Sequence, residues 1–410
     1  MTPNYYSIAQ VADILSVSKE TLRRWDNNGS LVPQRDPSNN YRAYHRSQLE
    51  QFEQAQLLFN SNWDKELKAK PKRKYKAIEL FAGAGGLAIG LENAGINSVL
   101  LNEIDRHACS TLKYNRPKWN VVEGDISEVD FKKYRNKIDL LSGGFPCQAF
   151  SYAGKKMGFE DTRGTLFFEF ARAVKEINPK VLLAENVRGL LKHENGKTLE
   201  TIKNVISELG YTLVEPRVLK AVFYKVPQKR ERLILVAIRN NLAKKVKYNW
   251  PSPYKRIMTV RDAFQAGELY KTDVPQSNGQ KYPKRKSQIL KKIPQGGYWR
   301  DLPLKLQKEY MMKSFYLGGG KTGMARRLSM DEPSLTLTCA PAQKQTERCH
   351  PIETRPLEVR EYARIQTFPD DWQFSGPLTA QYKQIGNAVP VNLAHAIGRS
   401  IVKLLNDIEK

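Results

Sequence analysis

Between Ala77 and Arg239, five short apolar runs alternate with stretches of helical periodicity: Ala77 to Phe81, Ser98 to Asn102, Ile138 to Ser142, Val181 to Ala184 and Leu233 to Ile238. Parallel strands cannot be joined by a tight turn; they need long crossovers, which are usually helical and almost always right-handed. The alternation therefore predicts an α/β unit with a mostly parallel sheet covered on both faces. Ligands of such sheets bind beyond the carboxyl ends of the strands. The unusual segments of this chain follow those ends.

A chain of 410 residues is too long for one ordinary domain. Its hydrophobic fraction of 40% and charged fraction of 27% fit globular cores, not disorder or a fibre. No apolar run approaches the roughly 20 residues that cross a bilayer, and the start Met1-Thr2-Pro3-Asn4-Tyr5 lacks a signal pattern. Four widely spaced cysteines give neither a disulfide framework nor a Cys-x-x-Cys metal clamp. A cytoplasmic protein with no metal and no membrane partner is expected. The formal net charge of +25, from 67 Lys+Arg against 42 Asp+Glu, predicts a polyanionic partner through counterion release. Charge alone does not separate DNA, RNA, acidic lipid and simple solubility.

From Ser7 to Phe59 the periods are those of short helices. Ile8, Val11, Ala12 and Leu15 recur at helical spacing, Ser16-Val17-Ser18 interrupts them, and Ser18 caps a second helix through Thr21, Leu22 and Trp25. Two short helices across a tight turn make a helix-turn-helix. Arg23 and Arg24 lie on its second helix as candidate DNA contacts, and Arg35 with Tyr41-Arg42-Ala43-Tyr44 supplies a basic, aromatic wing. The stretch resembles the winged helix-turn-helix of MerR and excisionase-like regulators, notably in Thr21-Leu22-Arg23-Arg24-Trp25, but lacks their long dimerisation helix. The alternative is a small packing module with a solvated basic face. Lys68, Lys70, Lys72, Arg73, Lys74 and Lys76 then crowd around Pro71, and like charges at that density predict an open linker.

The strand ends carry the chemistry. Glu79-Leu80-Phe81-Ala82-Gly83-Ala84-Gly85-Gly86 follows the first strand and opens a helix, the context a Gly-rich nucleotide loop requires. Glu103 at the end of the next strand is placed for a ribose hydroxyl and Asp125 for an adenine amino group, while no Walker lysine supports an ATPase. Gly143-Gly144-Phe145-Pro146-Cys147-Gln148-Ala149-Phe150-Ser151 presents Cys147 at the sheet edge, where a lowered pKa would make it a nucleophile. Cys109, Cys339 and Cys349 read instead as small buried hydrophobes. Glu185, ending the fourth strand, is either a general acid raised by burial or a capping acid paired to an arginine. Arg230 and Arg232 can neutralise phosphate, hold a substrate oxygen or orient that acid.

From about Lys76 onward these segments, together with Asp161-Thr162-Arg163-Gly164-Thr165-Leu166-Phe167-Phe168, Glu185-Asn186-Val187, Gln228-x-Arg230-x-Arg232, Arg360 to Pro369 and Gln384-Ile385-Gly386-Asn387-Ala388-Val389-Pro390, follow one order. In that order the chain resembles the bacterial DNA cytosine-5 methyltransferases. The resemblance implies a Rossmann-like S-adenosylmethionine-dependent core, a loop-rich target-recognition domain and double-stranded DNA as substrate, within a type II restriction-modification system. It implies that Cys147 attacks C6 of a flipped cytosine, that Glu185 acts at N3, and that Arg232, with Arg230 beside it, holds the O2 edge and orients Glu185. Gln148 and Ser151 would meet DNA. S-adenosylmethionine, leaving as S-adenosylhomocysteine, would lie along Phe81, Gly83, Gly86, Glu103, Ile104, Asp125, Ile126, Pro146, Leu166, Asn387 and Val389. Glu79 stands where many members carry aspartate, and should still reach the methionine ammonium region.

The resulting division is a helix-turn-helix over 1–62, a basic linker over 63–76, a catalytic domain over 77–250, a target-recognition domain over 251–354 and a C-terminal return over 355–410. A monomer whose first module can bind its own promoter is expected. Two competing readings are a regulator with a decayed methylase and an RNA-methylating relative. Intact Cys147, Glu185 and Arg232 oppose the first; the helix-turn-helix and the sizeable target region oppose the second.

Overall fold

The computed structural model describes residues 4–37, 40–146 and 165–410. Cys147, Gln148 and Ser151 lie outside the described residues. The N-terminal module contains β1 (Tyr5–Ser7), α1 (Ile8–Leu15), α2 (Lys19–Asn27), β2 (Gln34–Arg35) and β3 (Arg42–His45), and two short helices, Arg46–Leu49 and Glu53–Phe59, lead on to α3 (Trp63–Glu66). Ser18 caps α2 by accepting from the Thr21 amide at 2.9 Å, as the sequence predicts. The three strands form an antiparallel wing in the order β1-β3-β2.

The central sheet is built from β4 (Tyr75–Leu80), β5 (Ile96–Glu103), β6 (Val121–Glu123), β7 (Leu140–Gly143), β8 (Val181–Val187), β9 (Tyr211–Leu213), β10 (Arg217–Lys220) and β12 (Glu231–Arg239). Its order is β10-β12-β8-β7-β4-β5-β6, with β9 also on β12. The pairs among β4, β5, β6, β7 and β8 are parallel. The run Leu233 to Ile238 departs from the sequence expectation of further parallel crossover, because β12 is antiparallel to β8, β9 and β10. The chain reaches it through the neighbouring short strand β10 instead of a crossover helix, so its direction reverses. Just before it, β11 (Gln228–Lys229) pairs in parallel with β13 (Ser334–Leu335).

Helices cover both faces. α4 (Gly86–Asn93), α5 (Arg106–Asn115), α6 (Leu166–Ile177) and α7 (Lys197–Glu208) come from the crossovers, and α8 (Val359–Ile365), α9 (Leu378–Asn387) and α10 (Val391–Ile408) from the C-terminal return. On one face Ala77, Leu91, Leu140 and Val236 pack with Leu393, Ile397 and Ile401 of α10. On the other, Ile78, Leu80, Leu141 and Leu235 pack with Phe170, Val174, Ile202 and Val205 of α6 and α7. Alternate residues of β4 thus serve opposite layers, as pleating requires. Between Ile289 and Ala325 a small separate core gathers Leu290, Trp299, Tyr310 and Met311.

The crossing of α4 and α10 depends on Gly90. A Cβ there would stand 2.3 Å from the Ala394 Cβ and 2.6 Å from the His395 nitrogen. Gly90→Ala is expected to destabilise the fold by about 1–3 kcal/mol through overpacking; an unchanged midpoint in denaturant titration would refute the contact.

The basic segment before β4 is not open. Lys72 donates through its amide and Nζ to Asn406 of α10, at 2.9 and 3.1 Å. Arg73 grips Asp139 at 2.5 Å and Glu409 at 2.9 Å, and the Asn406 Nδ2 donates to the Lys70 carbonyl at 3.0 Å. Acidic partners remote in sequence offset the repulsion that the local run alone would create. Cys109 and Cys349 are buried as expected, but Cys339 is exposed. It sits in a connecting segment outside the cores, and its Sγ approaches the Asn387 Oδ1 at 3.1 Å. Among the described residues no helix is long and apolar enough to cross a membrane.

Candidate active site

The carboxyl ends of β4, β5, β7 and β8, the start of β12 and the end of α9 enclose a cavity of about 610 Å3. That volume is within the range of small-molecule and cofactor sites. β4 stops where Phe81 takes a left-handed backbone, φ 58°, and Gly85 at φ 86° turns the chain into α4. A non-glycine residue held in that region is strained, and such strain concentrates at functional sites.

Of the residues expected to hold cofactor, Phe81, Gly83, Gly86, Glu103, Ile104, Pro146, Asn387 and Val389 line the cavity. Glu103 Oε2 accepts from the Gly83 amide at 2.7 Å, and Oε1 from the amides of Ile104 and Asp105 at 2.9 and 2.8 Å. The carboxylate therefore ties the glycine loop to the end of β5. Asp125, Ile126 and Leu166 do not line it. Asp125 is exposed and caps its own turn by accepting from the Ser127 amide at 2.9 Å, Ile126 is buried, and Leu166 packs against the α6 and α7 core.

Glu79 also faces the cavity, 2% exposed, with Oε2 buried and accepting no hydrogen bond. Burial pushes its carboxyl up to about 8, and the charge of Glu103 adds to the rise. The protonated form is thus favoured by folding. Stability from this group is fully present below the ordinary value of 4.5 and declines as pH climbs toward about 8, because the unfolded carboxyl ionises first. The melting temperature of the free protein is expected to fall across that window, and Glu79→Gln to flatten the slope; an identical slope in the variant would exclude Glu79 as the source.

The second cluster joins β8 to β12. Arg232 pairs in register with Val187, and Ile234 with Glu185, so Arg232 and Glu185 share a face as diagonal neighbours. Their charges meet at 2.5 Å between Nε and Oε1, with both side chains mostly buried. Oε1 is thus taken by the ion pair and buried. Gly144 runs directly against the acid, for a Cβ there would lie 3.1 Å from Glu185 Oε2.

Arg230 departs from its expected place beside Arg232. Its amide donates to the Gln228 carbonyl at 2.9 Å, a tight turn that breaks the extended chain between β11 and β12. The side chain is buried away from the cavity and donates to the carbonyls of Leu337 and Asn387 at 3.2 and 3.3 Å. Burial pushes its guanidinium down to about 9, and Arg232 adds to the shift.

Asn186 has no role in the sequence reading, although it stands inside the Glu185-Asn186-Val187 triplet. Its Nδ2 donates to the Phe145 carbonyl at 2.9 Å, clamping the segment that enters the Cys147 loop. Lys383 was missed as well: it lines the cavity and pairs with Asp105, the cap of α5, at 3.1 Å. Nothing local marks Lys383, whose partner lies on a distant helix. On the N-terminal module Arg23 pairs with Glu20 at 2.9 Å and is exposed, as is Arg24. Arg35 and Arg42 of the wing both reach Asp26, at 3.4 and 2.7 Å.

Comparison with known proteins bears on both parts. Residues 6–65 match the MerR HTH family of regulatory proteins. Type II methyltransferase M.Eco47II of Escherichia coli is 72% identical over 410 residues, covering 100% of this chain and 98% of that protein. M.PspPI of Psychrobacter is 63% identical over 407 residues, covering 99% and 98%. M.HhaI of Haemophilus parahaemolyticus is 35% identical over 351 residues, covering 83% and 98%. Among solved structures, a prophage-encoded DNA modification methyltransferase of E. coli superposes with a TM-score of 0.62 at 24% identity, covering 81% of this chain and 100% of the other, a likeness of fold. Residues 75–403, which contain the whole cavity and the Arg232–Glu185 pair, match the C-5 cytosine-specific DNA methylases. That match over most of the chain, with close relatives along its full length, makes the chain a member of the C-5 cytosine-specific DNA methylase family and a DNA cytosine-5 methyltransferase.

Proposed function

We propose that this enzyme is the type II methyltransferase of a restriction-modification system, using S-adenosylmethionine to methylate cytosine in duplex DNA and so protect it from a partner endonuclease. The Arg232–Glu185 pair, mostly buried and lining one side of the cavity, carries the reading. S-adenosylmethionine suits the other side. The orphaned oxygen of buried Glu79 matches a cationic ammonium, and the cavity volume suits a nucleoside. Phe81 would lie against the adenine, Glu103 would take the ribose, and Asn387 and Val389 would close the pocket. Bound there, the cofactor supplies an electrophilic methyl group.

The protein must supply the nucleophile. C5 of cytosine is a poor one, but addition of the Cys147 thiolate to C6 breaks the C5–C6 double bond and moves electron density to C5. The same addition makes N3 more basic, and Glu185 donates a proton or strong hydrogen bond there. Arg232 holds Glu185 in place and fixes the O2 edge. Once C5 carries the methyl group, loss of its proton restores the double bond and expels the Cys147 thiolate. Because these atoms are stacked within duplex DNA, the base is flipped out first, at a cost of a few kcal/mol. Gln148 and Ser151 flank the nucleophile and would contact the opened DNA.

The N-terminal module would bind the promoter of its own gene through the exposed face of α2, where Arg23 and Arg24 stand. Bisulfite sequencing of DNA from cells expressing the chain is expected to show one protected sequence context; uniform conversion at every cytosine would overturn the methylation reading. Loss of promoter retardation in an Arg23→Ala/Arg24→Ala variant is the expected result for the module, and unchanged retardation would remove α2 as the contact.

A further inference from the structure

The N-terminal module is built into the methylase instead of being hung from it. Its core of Val11, Ile14, Leu22, Tyr44 and Leu58 continues without a break into Val222 and Ile257 of the body. The polar contacts around this apolar seam are the informative ones. Asp13 of α1 pairs with Lys229 at 3.0 Å. Lys19, the first residue of α2, pairs with Glu332 at 2.5 Å. Ser16, between the two helices, receives the ammonium of Lys220.

These contacts converge on one place. Lys229 lies on β11 and Glu332 two residues before β13, the two strands that pair with each other, Lys229 opposite Leu335. Thr336 fastens the same ladder by donating to the Lys229 carbonyl at 2.7 Å. Three residues beyond Lys229 the chain carries Arg232, which holds Glu185. Lys220 ends β10, which pairs with β12 so that Leu219 is opposite Arg232. The module thus grips both strands of the ladder that leads into the Arg232 strand, and the strand beside it. A DNA reader that merely shared the chain would need no such grip.

We propose that Asp13 and Lys19 are positioning residues for methyl transfer: through Lys229 and Glu332 the helix-turn-helix fixes the ladder that sets Arg232 against Glu185. The inference rests on reading Arg232 and Glu185 as the pair that acts on the cytosine. An enzyme with the seam disturbed binds cofactor normally but turns over slowly, because the cavity wall formed by Glu79, Phe81 and Glu103 lies on other strands.

The test uses the full chain, with single-turnover methyl incorporation into duplex DNA as rate and calorimetric titration of S-adenosylmethionine as binding. Asp13→Lys and Lys229→Asp are each expected to lower the rate about tenfold, within the range of coupled neighbouring groups, and the doubly reversed protein to recover most of the loss. Cofactor affinity is expected to stay within about twofold in all of them, since none of these residues lines the cavity. Asp13→Asn, which keeps the shape and removes the charge, covers the case in which a reversed charge lowers the melting temperature; its expected loss is about threefold to fivefold. Rates equal to the unaltered enzyme in Asp13→Asn, or a double reversal no faster than its slower parent, would overturn the proposal. If the unaltered enzyme itself left DNA unmethylated, the fault would lie with the function proposed above.

Discussion

Glu185→Gln is expected to slow methyl transfer by two to four orders of magnitude, the span over which a positioned acid or base contributes, roughly 10²–10⁴-fold. The amide keeps the shape of the side chain and its place beside Arg232, but it has no proton to give to N3. It also leaves the Arg232 charge, mostly buried, without its counter-ion. Leaving one member of a buried pair unpartnered costs about 3–5 kcal/mol, so thermal unfolding must be followed in parallel. Glu79 and Glu103 lie on other strands, and S-adenosylmethionine affinity should hardly change. Rate measured under saturating cofactor and DNA separates the two effects. A variant that stays folded and methylates within tenfold of the parent would mean that Glu185 is structural.

The loss should be deeper still for Cys147→Ser, on the order of 10⁴-fold or more, as when a covalent nucleophile is removed elsewhere. A serine hydroxyl is far less acidic than a thiol, and so far less of it is present as the nucleophilic anion. Tritiated methyl incorporation measures the rate. A duplex with fluorine at C5 of the target cytosine measures the bond, because fluorine cannot leave as a cation and the C6 adduct is trapped. The parent enzyme should yield a denaturant-resistant protein–DNA species and the serine variant none. Recovery of the adduct from the variant would move the nucleophile to another residue. Cofactor binding should survive, since the wall of Phe81, Gly83 and Glu103 is untouched.

The glycine-loop wall of the cavity was legible because its signals are local. A glycine loop after a strand and an acid at the end of the next strand are read from consecutive residues, and Glu79, Phe81, Gly83 and Glu103 meet in one cavity. Direction was not legible. An apolar run of Leu233 to Ile238 has the same pattern whichever way it points, and only the antiparallel arrangement brings Arg232, at the start of β12, to the carboxyl end of β8 where Glu185 stands. The same limit separated the two arginines. Residues two apart on an extended chain share a face, but the turn at Arg230 breaks the extension and sends its side chain into the interior. The basic run before β4 misled for a related reason: its repulsion is local, while Asp139, Asn406 and Glu409 arrive from far along the chain. Ser18 as helix cap and the apolar faces of α1 and α2 were legible because caps and helical periods need only a few neighbouring residues.

The clasp of α4 by α10, together with the Asn406 contacts to the segment before β4, has a consequence in time. On a ribosome the chain emerges from its N-terminal side, and α10 appears only after every strand it covers. Until then the face of the sheet bearing Ala77 and Leu140 lacks its cover, and Gly90 has nothing to lie against. The apolar core of the N-terminal module takes Val222, Phe223 and Ile257 from the rest of the chain, all far ahead of α10 in sequence. A growing chain would therefore possess a shaped DNA reader well before it possessed a closed cofactor pocket. Native contacts of long sequence separation are also the slow ones to form. Newly made protein would pass through an interval in which it can occupy DNA and cannot yet methylate it.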